Sequence, residues 1–146
     1  MGLDMTLIRK TCVNSCFSSI TVDDIQGQGI DHICPSQIKY IVEEMAYWCK
    51  ANAIHNWFVE NIQNGKDDCN EYDVDKSDLE NLLKLVNKVL KTPSKAKDLL
   101  PTKSGFFFGS TEYDDIYLSD LQYTKEILEK ILAEPSGGYL CYQASW

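Results

Sequence analysis

Two polar side chains sit where an apolar surface is expected. The segment Trp48-Cys-Lys-Ala-Asn-Ala-Ile-His-Asn-Trp-Phe58 carries Asn52 and His55. At 3.6 residues per turn they fall on one line with Ile38, Ile41, Met45, Trp48, Val59 and Ile62, spaced by three and four. A desolvated amide or imidazole without a partner costs about 1–3 kcal/mol. Each of the two therefore requires either a partner inside the protein or a ligand in a pocket. His55 is also the better candidate for a general base, since His32 lies in a glycine-rich approach. Cys49 or Cys69 can be written as a nucleophile beside His55, but no local signature singles out either thiol.

A second segment offers directional groups. Residues 104–115 read Ser-Gly-Phe-Phe-Phe-Gly-Ser-Thr-Glu-Tyr-Asp-Asp. The three phenylalanines between Gly105 and Gly109 read as a buried strand ending in a tight turn. Successive amides at Gly109, Ser110 and Thr111 can form an anion-binding nest with two hydroxyls beside it. A small-residue corner of a hairpin is the competing reading, because the phosphate-loop lysine is missing. Trp48, Trp57, Phe106, Tyr113, Tyr142 and Trp146 could stack a base, although most aromatics in a domain of this size are core. Lys50 could meet a phosphate, but on an ideal helix it points away from Asn52.

Other groups of ligating residues are weaker. Cys12, Cys16, His32 and Cys34 could assemble four zinc ligands, yet the spacing is not that of a zinc knuckle, and small buried thiols need no metal. Asp67, Asp73 and Asp75 lack the glycine and terminal glutamate of a calcium loop. Asp67-Asp68 and Asp114-Asp115 fall on expected loops, where adjacent acids are usually solvated. No cofactor or metal is expected.

Several elements must position these groups. Residues 2–9 and 17–22 suit strands, with a break at Gly27 to Gly29. A long helix is expected from an N-cap at Ser36 to a stop at Asn64-Gly65, with Tyr40, Tyr47, Ile54 and Phe58 covering its other side. Ser77-Asp-Leu-Glu80 and Ser119-Asp-Leu-Gln122 read as capping boxes of two amphipathic helices, the first stopped by Pro93. Residues 67–75 read as a solvated acidic connection, and 139–146 as a final strand. The expected fold is α+β, a single domain over residues 1–146. About three helices, one long and central, pack on a small, mostly antiparallel sheet assembled from both ends and the Phe106 segment.

Composition narrows the function classes. The chain has 146 residues and a formal charge of −8, with Arg9 its single arginine. That balance disfavours binding to nucleic-acid backbone, which needs clustered cations. No apolar run reaches membrane-spanning length, the start lacks a signal-peptide pattern, and the six cysteines read as reduced thiols. A cytoplasmic protein with no membrane partner is expected, and a homo-oligomer stays open.

Four stretches carry a resemblance. They are Met1-Gly-Leu-Asp-Met5, the helix Tyr47-Trp-Cys-Lys-Ala-Asn-Ala-Ile-His-Asn-Trp-Phe58, the run from Leu99 through Ser104-Gly-Phe-Phe-Phe-Gly-Ser-Thr-Glu-Tyr-Asp114, and the ending Tyr142-Gln-Ala-Ser-Trp146. Together they resemble a family of short, mostly uncharacterised proteins met in phages, prophages and bacteria. Thr6 and Cys49 depart from the tyrosine and the basic residue expected there, and the second departure removes a phosphate contact. The resemblance implies an anti-defence sponge in the host cytoplasm, sequestering a nucleotide-derived immune signal without cleaving it. Trp48, Asn52, His55, Phe106, Gly109, Ser110, Thr111, Tyr113 and Trp146 would be its ligand contacts. Two alternatives remain: an enzyme degrading such a nucleotide with His55 as acid or base, and an acidic protein inhibitor acting through Asp67, Asp68, Glu71, Asp73 and Asp75.

Overall fold

A computed structural model describes residues 2–16, 18, 20–22, 29–135 and 137–146. Its strands are β1 (Asp4–Cys12), β2 (Tyr40–Cys49), β3 (Tyr72–Val74) and β4 (Tyr139–Ser145). They form one antiparallel sheet in the order β2-β1-β4-β3. Its helices are α1 (Asn52–Asn61), α2 (Lys76–Lys91), the single turn α3 (Ala96–Leu99) and α4 (Asp115–Ala133). The α+β class and the antiparallel sheet agree with the sequence reading.

The sheet is amphipathic because alternate residues face opposite ways. Register places Trp48 opposite Met5, Met5 opposite Ala144, and Leu7 opposite both Ala46 and Tyr142. All are buried, together with Leu140 and Val74. Against that face pack Ile54 and Phe58 of α1, Leu79, Leu82 and Val86 of α2, and Leu121, Leu128 and Ile131 of α4. Phe58 stacks on Tyr142 with ring centroids 3.8 Å apart and planes 5° from parallel.

The long central helix is corrected. Its first half is strand β2, and helix begins only at Asn52. Ile38, Ile41, Met45 and Trp48 have helical spacing, but Tyr40-Ile-Val42 and Tyr47-Trp48 are β-branched or aromatic and fit a pleated surface. A bulge at Met45, where the register with β1 slips, breaks the alternation that would have betrayed a strand. Lys50 then takes a left-handed φ of 60° and turns strand into helix. The stop near Gly65 stands: α1 ends at Asn61, and the Gly65 N–H reaches the Val59 carbonyl at 2.8 Å.

Other boundaries move. The Phe106 segment is not a strand; the fourth strand comes instead from Tyr72–Val74, inside the stretch read as a solvated loop. The capping box of α2 is Asp75 with Asp78, and α4 starts at Asp115 with Asp114 as N-cap, both ahead of the expected serines. The expected strand over 17–22 and the Gly27 break lie partly outside the described residues; the described residues 18 and 20–22 carry no strand.

Candidate functional site

His55 is in the second half of the first turn of α1 and is fully buried. Its Nε2 lies 2.9 Å from Asp67 Oδ1 and its Nδ1 2.8 Å from Tyr142 Oη. An ionised carboxylate only accepts, so Nε2 carries the proton and the Tyr142 hydroxyl donates to Nδ1. Phe108, Tyr142 and Trp146 surround the ring at centroid distances of 5.4, 6.2 and 5.6 Å. Burial pushes the imidazole pKa down and outweighs the opposing pull of Asp67, so the ring stays neutral. Burial also raises the Tyr142 hydroxyl well above its ordinary value.

Asn52 is likewise occupied. Its Nδ2 donates to the carbonyls of Phe108 at 3.0 Å and Ser110 at 2.8 Å, and its Oδ1 accepts from the Lys103 N–H at 3.1 Å. These three bonds tie the irregular segment 103–110 to the start of α1. Gly109 is needed there: with φ at 88°, an added Cβ would stand 3.0 Å from Lys50 Cβ and 3.3 Å from its carbonyl oxygen. Trp48 is 2 % exposed, and its Nε1 donates to Thr124 Oγ1 of α4 at 2.9 Å.

Beside this clamp a cavity of about 230 Å³ opens between the starts of α1 and α4. Ile54, Ile116, Tyr117 and Leu121 give it apolar walls, and its polar lining residues include Lys50, Ser110, Glu112, Asp114 and Asp120. Ala51 at the α1 N-cap supplies no side-chain acceptor. Among the described residues, the first-turn N–H groups of Ala53 and Ile54 have no acceptor either. One wall of the cavity thus carries the positive end of a helix dipole. Another wall is acidic. Asp114 accepts from the N–H groups of Ile116 and Tyr117, both at 3.1 Å, so the start of α4 compensates its charge. Asp120 is half-buried, and its carboxylate has no hydrogen-bond or ion-pair partner among the described residues. Burial, with Asp114 nearby, pushes its pKa up to about 6.

Of the nine residues expected as ligand contacts, Asn52, Gly109 and Ser110 line this cavity, as do Lys50, Cys49 and Asp114, which the sequence also singled out. Trp48 and His55 belong to the core. Trp146 packs on His55 and Phe108, while Tyr113 packs on Tyr117 and accepts from the Thr102 N–H at 3.3 Å. Thr111 contributes its carbonyl to Thr102 Oγ1 at 2.9 Å, and Phe106 is 74 % exposed at a loop tip. The nine residues therefore do not gather around one cavity. Asp120 and Tyr117 were missed, and Asp114 was read as a solvated loop acid; the signal was their spacing of three along an amphipathic helix that starts earlier than its serine suggests. Among the described residues no group of three or more His, Cys, Asp or Glu could hold a metal, which leaves Cys12, Cys16, His32 and Cys34 without a metal site there. All six cysteines are free thiols, and no helix among the described residues is long and apolar enough to cross a membrane.

No model of a known protein family, no curated protein and no solved structure matches this chain.

Proposed function

We propose that the protein binds a small nucleotide-derived anion and holds it without converting it. The carrying observation is the cavity at the start of α1, in which an apolar surface meets two polar walls of opposite character. Phosphate suits the Ala53 and Ile54 amides, with Lys50 among the lining residues; ribose hydroxyls or an exocyclic amine suit Asp114 and Asp120, which accept hydrogen bonds. Tyr117 offers a ring to a sugar or base. At about 230 Å³ the cavity fits a phosphorylated sugar or part of a nucleotide rather than a large ligand. Asn52, Gly109 and Ser110 shape it through the backbone they fix.

Binding without turnover is favoured over catalysis by the position of His55. Both ring nitrogens have protein partners, and the residue lies outside the lining of the cavity. Retention of a nucleotide-derived immune signal, the sponge suggested by the phage-family resemblance, is the biological form of this reading. Purified protein is incubated with cyclic nucleotides and ADP-ribose derivatives, washed, denatured, and its released small molecules identified by mass spectrometry. Recovery of intact ligand supports the proposal. Recovery of none, or of cleaved products, contradicts it.

A further inference from the structure

Strand β2 stands at one edge of the sheet, and among the described residues only half of that edge is covered. Beyond the bulge at Met45, Ala46 and Trp48 are buried, and the Tyr47 N–H donates to Tyr123 Oη of α4 at 3.4 Å. Before the bulge, every residue from 40 to 44 is exposed, which means both faces of the strand are open. Tyr40, Ile41 and Val42 are 52, 43 and 55 % exposed. Among the described residues, the backbone of this stretch pairs with β1 alone. Such an edge is a template for another strand.

The side chains say which strand fits. We propose that the occupant is β2 of a second copy, paired antiparallel about a two-fold axis through Ile41. In that register Ile41 faces Ile41 of the second copy, and Tyr40 faces Val42 twice, an aromatic against a β-branched side chain. Lys39 faces Glu43 twice on the face that carries Ile41, joining the net-negative cluster in which Arg9 holds Glu43 at 2.7 and 2.8 Å and also pairs with Glu134. Pairing that keeps both helical layers on one side of a continuous sheet matches residues an even number apart, which leaves few other registers. An axis through Val42 sets Glu44 against Tyr40 and Glu43 against Ile41. An axis through Glu43 sets two carboxylates against each other. An axis through Tyr40 draws Gln37, part of the Pro35–Gln37 turn of 3-10 helix, into the ladder where the extended backbone has ended. Only the Ile41 register combines matched apolar pairs with opposite charges.

Sedimentation velocity of the full chain over a range of micromolar concentrations, at physiological salt, tests this without any ligand. The wild type is expected to show a concentration-dependent dimer. Ile41→Lys and Ile41→Glu are each expected to be monomeric, because like charges meet on the axis, and an equimolar mixture of the two is expected to dimerise again. Far-UV circular dichroism verifies that these surface variants fold. Should either fail to fold, Lys39→Glu decides, since it turns two opposite-charge pairs into like-charge pairs and is expected to weaken the dimer about tenfold. A wild type that stays monomeric, or a dimer indifferent to all three substitutions, overturns the proposal. A mixture of folded Ile41 variants that stays monomeric overturns the register.

Discussion

His55 shows how a residue that invites a catalytic reading can instead be a fastening. It joins α1 to β4 through Tyr142 and to the segment after α1 through Asp67. Its folded pKa lies below the unfolded value of 6.5. Above that pH both states are neutral and stability is insensitive to it. As pH falls below 6.5, the unfolded chain takes up a proton that the native ring refuses, and stability drops until the native pKa is reached. Urea unfolding followed through this window is expected to show that loss, and His55→Gln is expected to be less stable overall but to lack this step. Asn52→Ala strands two carbonyls and one N–H and is expected to cost about 3 kcal/mol in the same assay. Asn52→Asp is expected to be at least as harmful, because a carboxylate cannot donate to the Phe108 and Ser110 carbonyls. That the two residues need partners was legible in the sequence. That Asp67 and Tyr142 are the partners of His55 was not, since they lie 12 and 87 positions away and only the pairing of β4 beside β1 brings Tyr142 under α1.

The elements were legible to the degree that their periodicity was undisturbed. Helices α2 and α4 and strands β1 and β4 carry clean patterns and appear near their expected places. β2 fails because a bulge and an edge position disturb its alternation, so that three-and-four spacing looks helical. β3 fails because three residues in an acidic stretch carry no periodicity; neighbouring β4 makes them a strand. The Phe106 segment fails because its rings part company: Phe108 is 3 % exposed, while Phe106 and Phe107 are exposed and Phe107 has a φ of 58°. The added Cβ of Gly105→Ala would collide with the ring of Phe108, which lies over it. This variant is expected to lose roughly 1–3 kcal/mol by overpacking, measured as a lower urea midpoint. Gly109→Ala is expected to act on the cavity instead, by straining a positive φ and pressing on Lys50, so ligand affinity should fall even where the fold survives.

At the scale of the molecule, the cavity's location explains why motif reading missed much of it. It is assembled from the turn after β2, the first turn of α1, the segment 102–110 and the start of α4, and no single stretch holds its pattern. Asp120 lines this cavity, and its burial weakens the fold. Its pKa rises from 3.8 unfolded to about 6 folded. Below 3.8 both states are protonated and nothing is lost; as pH rises towards 6 the unfolded chain ionises first and stability declines. Asp120→Asn is therefore expected to stabilise the protein at pH 7 by on the order of 1 kcal/mol, after discounting for partial exposure, and to give no gain at pH 3.5. The measurement that reaches the central claim most directly is an amide ¹H–¹⁵N NMR titration with ADP-ribose and cyclic nucleotides. The account predicts saturable shifts for one of these ligands, concentrated at residues 50–54, 109–110 and 114–121. Shifts confined to the surroundings of His55 and Trp146, or none with any of these ligands, would contradict it.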